Sequence, residues 1–379
     1  MPTHPNGPFR ADHVGSLLRP APLLAARKRH KAGEISDAEL RDVENEAIKE
    51  AIKLQEDVGL KGITDGEFRR THFHTDFLVQ IDGMEAQGGI AKKFQKAGGD
   101  LEFAPPKLVT TGKLKHSKPI MRADYEFIAQ HTSEVPKITI PSPSMAHFRA
   151  GREGISKEAY PDLEEFFEDL VQVYKDEVND LAAAGCRYLQ FDDTNLAYLC
   201  DPKFRADTEA RGEDPDKLAT LYADLLNRCI EDRPDDMRIT IHLCRGNFRS
   251  AWVAEGGYDP VAEAMFGELN IDGFFLEFDD ERSGTFAPLR YAKKDTTVVL
   301  GVISSKKAEM ETKDQVKRRI DEATLVLDKD QLAVSAQCGF SSTEHGNDLD
   351  FDVQRRKLEL AVAVAEDYWG GVDPQRKAA

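Results

Sequence analysis

The chain has 379 residues, enough for one large α/β domain or two ordinary ones, and its 40% hydrophobic content supports a substantial core. A formal net charge of −17 argues against nucleic acid or an anionic membrane as the main partner. The N-terminal stretch has no apolar signal core and nothing approaches the roughly 20 apolar residues of a membrane span, so a cytoplasmic location is expected.

Strand and helix patterns alternate along the chain. Apolar, β-branched runs predict strands at 11–18, 62–68, 137–144, 187–194, 238–244, 272–279, 296–305 and 332–340, of the kind buried on both faces of a parallel sheet. Helical periodicity fills the intervals: 37–59 behind Ser36 as N-cap, then 160–184, 214–232, 259–268, 312–328 and 353–367, with a weaker 285–293 interrupted by Pro288. A Gly- and Lys-containing stretch, 79–133, follows the second strand; it alternates like a hairpin and is expected to pack over or beside the mouth of the fold. Eight such units predict a (β/α)8 TIM barrel, 1–379, as a single domain carrying that insertion. A doubly wound sheet is the runner-up, weakened because no Gly-rich phosphate fingerprint follows the first strand.

In a barrel of this kind, functional groups cluster where strands end. Here those ends carry Ser16; Asp65 and Glu67; Ser142 and Ser144; Asp192 and Asp193; His242 and Cys244; Glu277; and Cys338. His242 and Cys244 are two apart, so on a strand both face the same side. Alone, such a pair is more often a buried histidine beside a buried cysteine. With Cys338 and Glu277 at equivalent strand ends, two sulfurs, a nitrogen and a carboxylate oxygen make a zinc site. Two thiolates make metal-bound water a poorer acid, so the chemistry fits activation of a thiol for attack on an alkyl carbon. Cys186, Cys200 and Cys229 read as core thiols, and an odd number of cysteines disfavours a disulfide framework.

In these residues the sequence resembles the cobalamin-independent methionine synthase family, specifically its C-terminal catalytic barrel. The matching pieces run in order over nearly the whole chain: His13-Val14-Gly15-Ser16, Gly59-Leu60 through Asp65-Gly66-Glu67-Phe68-Arg69-Arg70-Thr71, Gln190-Phe191-Asp192-Asp193, Ile241-His242-Leu243-Cys244, Leu276-Glu277 and Gln337-Cys338-Gly339. The resemblance implies Zn2+ held by His242, Cys244, Glu277 and Cys338. It implies a substrate amino acid held by Ser16, Glu67 and Asp192, with Asp193 beside them and catalytic roles for Glu67 and Asp192. Transfer of a methyl group from a methylated folate to homocysteine, giving methionine, is the implied reaction.

This chain departs from the family in having room for one barrel only, in placing Ser304 where a proton-delivering histidine is expected after strand seven, and in continuing as Arg245-Gly246-Asn247 after Cys244. The donor therefore stays open, and so does a homo-oligomeric state. The expected partners are a homocysteine-like thiol and a methyl donor. An epoxyalkane:coenzyme M transferase-like activity is the alternative; there Arg245 or Arg282 would receive a sulfonate. A uroporphyrinogen-decarboxylase-like barrel ranks last because it leaves His242, Cys244 and Cys338 unexplained. His72, His74 and His345 are loop histidines, more often surface or contact residues than proton donors. Asp279, Asp280, Glu281 and Arg282 read as a solvated charge run, and Phe148 and Phe340 as core.

Overall fold

The computed structural model of the chain describes residues 6–89, 92–96, 99–103 and 106–373. Near the start, β1 (Gly62–Ile63) pairs in parallel with β6 (Val135–Pro136). Between them, β2 (Asp82–Gln87) and β5 (Lys107–Lys115) form an antiparallel hairpin, extended by a second, β3 (Lys92–Phe94) with β4 (Leu101–Phe103). Then come β7 (Ile138–Pro141), β8 (Tyr188–Asp193), β9 (Arg238–Leu243), β10 (Gly273–Glu277), β11 (Thr297–Ile303) and β12 (Leu332–Ala336). These six make one parallel sheet in which sequence neighbours pair in turn. Almost every residue in them is buried, as expected when helices cover a parallel sheet and the strand sequence is apolar throughout.

The helices are α1 (Ala21–Lys31), α2 (Asp37–Asp57), α3 (Thr75–Leu78), α4 (Arg122–His131), α5 (Leu163–Ala183), α6 (Asn195–Tyr198), α7 (Pro202–Ala210), α8 (Pro215–Cys229), α9 (Lys313–Ala323) and α10 (Phe351–Trp369). Ser36 caps α2 as expected: its Oγ accepts from Glu39 N at 3.3 Å while Glu39 Oε2 accepts from Ser36 N at 2.8 Å, closing a capping box. Among the described residues, no helix is long and apolar enough to cross a membrane.

Three sequence expectations change. Residues 11–18 form no extended strand; Ala11 makes a single parallel bridge to Val334. The Asp12 carboxylate accepts from Phe9 N at 3.1 Å and from His13 N at 2.8 Å, and Gly15 has φ +141°, so local bonds and a turn replace the ladder. Residues 259–268 form a 3-10 turn followed by a six-residue π turn, not an α-helix, over a stretch that opens on Pro260 and contains Gly267. The 79–133 stretch is hairpin-like through β5, but its last part is α4, which buries Tyr125 and Ile128.

Residues 10–17 connect the two ends of the sheet system: Asp12 N donates to Val334 O and Val334 N to Arg10 O, while Leu17 N donates to Gly66 O. Beside this segment Lys137 is wholly buried, with Nζ 2.6 Å from His13 O and 3.2 Å from Asp12 Oδ1, over the ring of Phe275 at 4.1 Å. The outer hairpin is fastened at its tip, where Gln95 and Trp252 exchange backbone hydrogen bonds of 2.7 and 3.0 Å and Lys96 pairs with Asp348.

Candidate metal and substrate site

The polar residues that interrupt these apolar strands lie at one end of the sheet. His242 is in β9, Cys244 follows it directly, and Cys338 lies two residues past β12. Their ligand atoms fall within 4.8 Å of one another, and the two sulfurs are 3.4 Å apart. All three are buried. The contact with Cys244 pulls Cys338 well below an ordinary thiol against the opposing effect of burial, with His242 adding to the drop. The same contact, with burial, pushes Cys244 up, so the two thiols titrate as a coupled pair. Burial draws His242 down, but the Cys338 charge and the acids Asp192 and Glu277 outweigh it, and the imidazole is drawn up.

Glu277 ends β10 and is fully buried, but it is not within that three-residue group. Its Oε1 accepts from Arg245 N at 3.2 Å and faces Lys306 Nζ at 3.7 Å, whereas Oε2 has no hydrogen-bond partner among the described residues. Nothing in the sequence pattern singles out Lys306. Burial lowers its ammonium, yet Glu277, Cys338 and Cys244 hold it up, so a fixed cation sits beside the thiols. Ser304 is buried, with its N–H directed to Glu311 Oε1 at 2.9 Å, and it does not line the cavity onto which the thiols open.

A second group forms around Glu67, which follows β1 with φ +61°, a left-handed turn that directs a bulky side chain inward. Arg70 lies between two carboxylates, paired with Glu67 and 3.4 Å from Asp192 Oδ2. Thr139 Oγ1 donates to Glu67 at 3.1 Å and Gln190 Nε2 to Asp192 at 2.8 Å. Ser16 approaches the turn after β12 so closely that a Cβ on Gly339 would meet Ser16 Oγ at 1.8 Å, which only glycine avoids. Asp193 lines the cavity, but its oxygens are engaged: Ser144 Oγ donates at 2.5 Å, Asn195 N at 2.6 Å and Leu196 N at 2.9 Å, which anchors the start of α6.

Burial raises Glu67 to about 7, with Arg70 opposing and Asp192 adding to the rise. A carboxyl raised on folding binds its proton more tightly in the native state, so native stability is lost as pH climbs from the unfolded value through the folded one. The stability of the wild type relative to Glu67→Gln is therefore expected to fall between pH 5 and 8. The fall is at most about 3 kcal/mol for a carboxyl moved to about 7, measured by urea unfolding across that range. A pH-independent difference would contradict the assignment.

Both groups open on one cavity of about 750 Å3, counting its mouth. Its walls also carry His72, Phe73, His74, Arg149 and Tyr198, with Phe94 of the outer hairpin against Phe248 at 5.5 Å between ring centres. His345 packs on Phe248 at the rim. Cys186 and Cys200 are buried thiols raised to about 12, and Cys229 is raised as well, in keeping with a core role. The 279–282 charges are not simply solvated: Arg282 Nη2 is 2.7 Å from Asp280 and its guanidinium covers the Trp252 ring at 4.4 Å.

Paired thiols and an imidazole at parallel strand ends, sharing a cavity with two buried carboxylates, give this α/β protein a donor set of the kind that soft metals take. Within that class, the chain belongs to the cobalamin-independent synthase, catalytic domain, family, whose model matches residues 11–367. It is 46% identical to "Uncharacterized protein YxjH" of Bacillus subtilis over 96% of this chain and 95% of that one. Among solved structures it is similar to a Listeria monocytogenes protein assigned as a vitamin-B12-independent methionine synthase, with TM-score 0.77 and 38% identity over 96% of this chain and 99% of that one. It shares the fold of a B12-independent methionine synthase from Shewanella sp. W3-18-1, solved with selenomethionine, at TM-score 0.69 and 19% identity over 95% and 98% of the two chains.

Proposed function

We propose that the chain is a zinc-dependent S-methyltransferase that moves a methyl group from 5-methyltetrahydrofolate or a related donor to homocysteine or a similar thiol, giving methionine. The observation that carries this reading is the gathering of His242, Cys244 and Cys338 on the same cavity as Glu67 and Asp192. The donor set suits zinc, which takes nitrogen and sulfur ligands, and the partnerless Oε2 of Glu277 supports that carboxylate as the fourth. When bound, zinc lowers the pKa of a substrate thiol and leaves it nucleophilic near neutral pH.

The protein's own residues supply the rest. Glu67 and Asp192 receive the ammonium of the amino-acid substrate, displacing or sharing Arg70. Ser16 is directed to its carboxylate, and Asp193 sets the wall through α6. Lys306 neutralises the charge that two thiolates and Glu277 bring together. We read the six-stranded sheet, the β1–β6 pair and residues 10–17 as one closed (β/α)8 barrel, a single domain with 79–133 inserted, acting in the cytoplasm on small molecules. Neither arginine expected to receive a sulfonate lines the cavity: Arg245 is fully buried, donating to Gly256 O at 2.7 Å and Tyr258 Oη at 2.9 Å, and Arg282 pairs with Asp280 at 2.7 Å.

The test is isotope transfer on zinc-loaded protein, with labelled methyl donors crossed against homocysteine and 2-mercaptoethanesulfonate. Labelled methionine is the expected product. Label appearing only in the sulfonate thioether, or in neither thiol with any donor, rejects the assignment.

A further inference from the structure

Arg149 lines the cavity, and its Nε and Nη1 are shielded from solvent with no hydrogen-bond partner. Among the described residues its side chain has neither an ion pair nor a hydrogen bond, whereas the cavity's other arginine, Arg70, is held by Glu67 and Asp192. Burial lowers it, and its main electrostatic neighbour is Tyr198, a phenol that is itself raised to about 12 and therefore neutral. A guanidinium is charged at any working pH and presents a planar fork of donors suited to an oxyanion. Arg149 is half-buried as a residue, and shielding its Nε and Nη1 without an acceptor is costly, which marks the place where a ligand supplies one.

Resting on the thiol-methyltransferase reading, we propose that Arg149 docks an oxyanion, carboxylate or phosphate, of the molecule that delivers the methyl group. The acceptor's ammonium and carboxylate are provided for by Glu67, Asp192 and Ser16. Arg149 is then left to the second substrate. Phe73, Phe94 and Phe248 give the same cavity an apolar wall, so the fitting donor joins an apolar or aromatic body to an anionic group.

Calorimetric titration of zinc-loaded protein with 5-methyltetrahydrofolate monoglutamate, glutarate and inorganic phosphate, with uncharged glutaramide as control, tests the assignment. Wild type should bind at least one of the three anions more tightly than glutaramide. Arg149→Met should weaken that binding about 10- to 100-fold, with Arg149→Lys in between. Preference for phosphate identifies a phosphorylated donor, and preference for glutarate or the folate a carboxylated one. Binding of none of the three anions, or equal binding by wild type and Arg149→Met, overturns the proposal. Methylation of homocysteine by methyl iodide, an uncharged donor, tests the thiol reading separately, so its failure in wild type defeats that reading while the titrations still judge Arg149. A tenfold rise in the KM for homocysteine in Arg149→Met with this donor would place the anion on the acceptor, and that too overturns the proposal.

Discussion

Cys338→Ser is expected to release zinc from a stoichiometry of about one per chain and to lower methyl transfer by about a thousandfold or more, equivalent to about 4 kcal/mol at the transition state. Serine keeps the volume but replaces a soft, ionisable sulfur with a hydroxyl that zinc binds poorly. In this chain the substitution also removes the thiol that its neighbours Cys244 and His242 draw below an ordinary cysteine. The same change at Cys244 is expected to have a similar effect, since the sulfurs are 3.4 Å apart and act as a unit. Metal analysis after gel filtration, with circular dichroism to establish that the variant is folded, separates ligand loss from unfolding. A folded Cys338→Ser protein that keeps its zinc and its activity would remove the basis for the metal site.

Asp12→Ala is expected to destabilise the protein by about 3–5 kcal/mol, the usual cost of breaking one side of a buried ion pair. Lys137 keeps its bond to His13 O but loses the carboxylate that neutralises it, in a setting bounded by Phe275 and Tyr188. The carboxylate does more than pair: its Oδ2 also accepts from Tyr188 Oη at 2.6 Å, so three chain segments lose a shared anchor. Lys137→Met placed in the Asp12→Ala background should recover part of the loss, because it removes the stranded ammonium. Urea unfolding of the single and double variants measures both effects. A cost below about 1 kcal/mol for Asp12→Ala would show that the pair contributes little.

Much of this site is legible in the sequence, for a physical reason. Strands buried on both faces read as unbroken apolar runs, so His242, Cys244, Glu277 and Cys338 stand out where those runs end. The remainder is hidden in loops and in context. Residues 11–18 have strand-like composition, but Asp12 satisfies nearby backbone N–H groups and Gly15 turns the chain, which only the tertiary arrangement decides. Helix α4 is concealed in a stretch that alternates like a hairpin, and α1 has too narrow a buried face, Leu23 and Ala26, to announce itself. Arg70, Arg149 and Lys306 are the larger omissions. Charged residues outside strand centres are ordinarily solvated, and nothing local distinguishes the three that turn inward. Ser304 falls at the expected proton-donor position, yet the basic group beside the thiols is Lys306, two residues on.

The closeness of Cys244 and Cys338 carries a liability as well as a function. Removal of two electrons and two protons joins such a pair as a disulfide, here across 94 positions of sequence. A bound metal engages both sulfurs and withholds them from oxidants; a metal-free molecule leaves a ready thiolate beside its partner. On the zinc reading, metal supply and oxidation compete for the same two atoms, and a thiol reductant followed by zinc is expected to restore activity lost to peroxide.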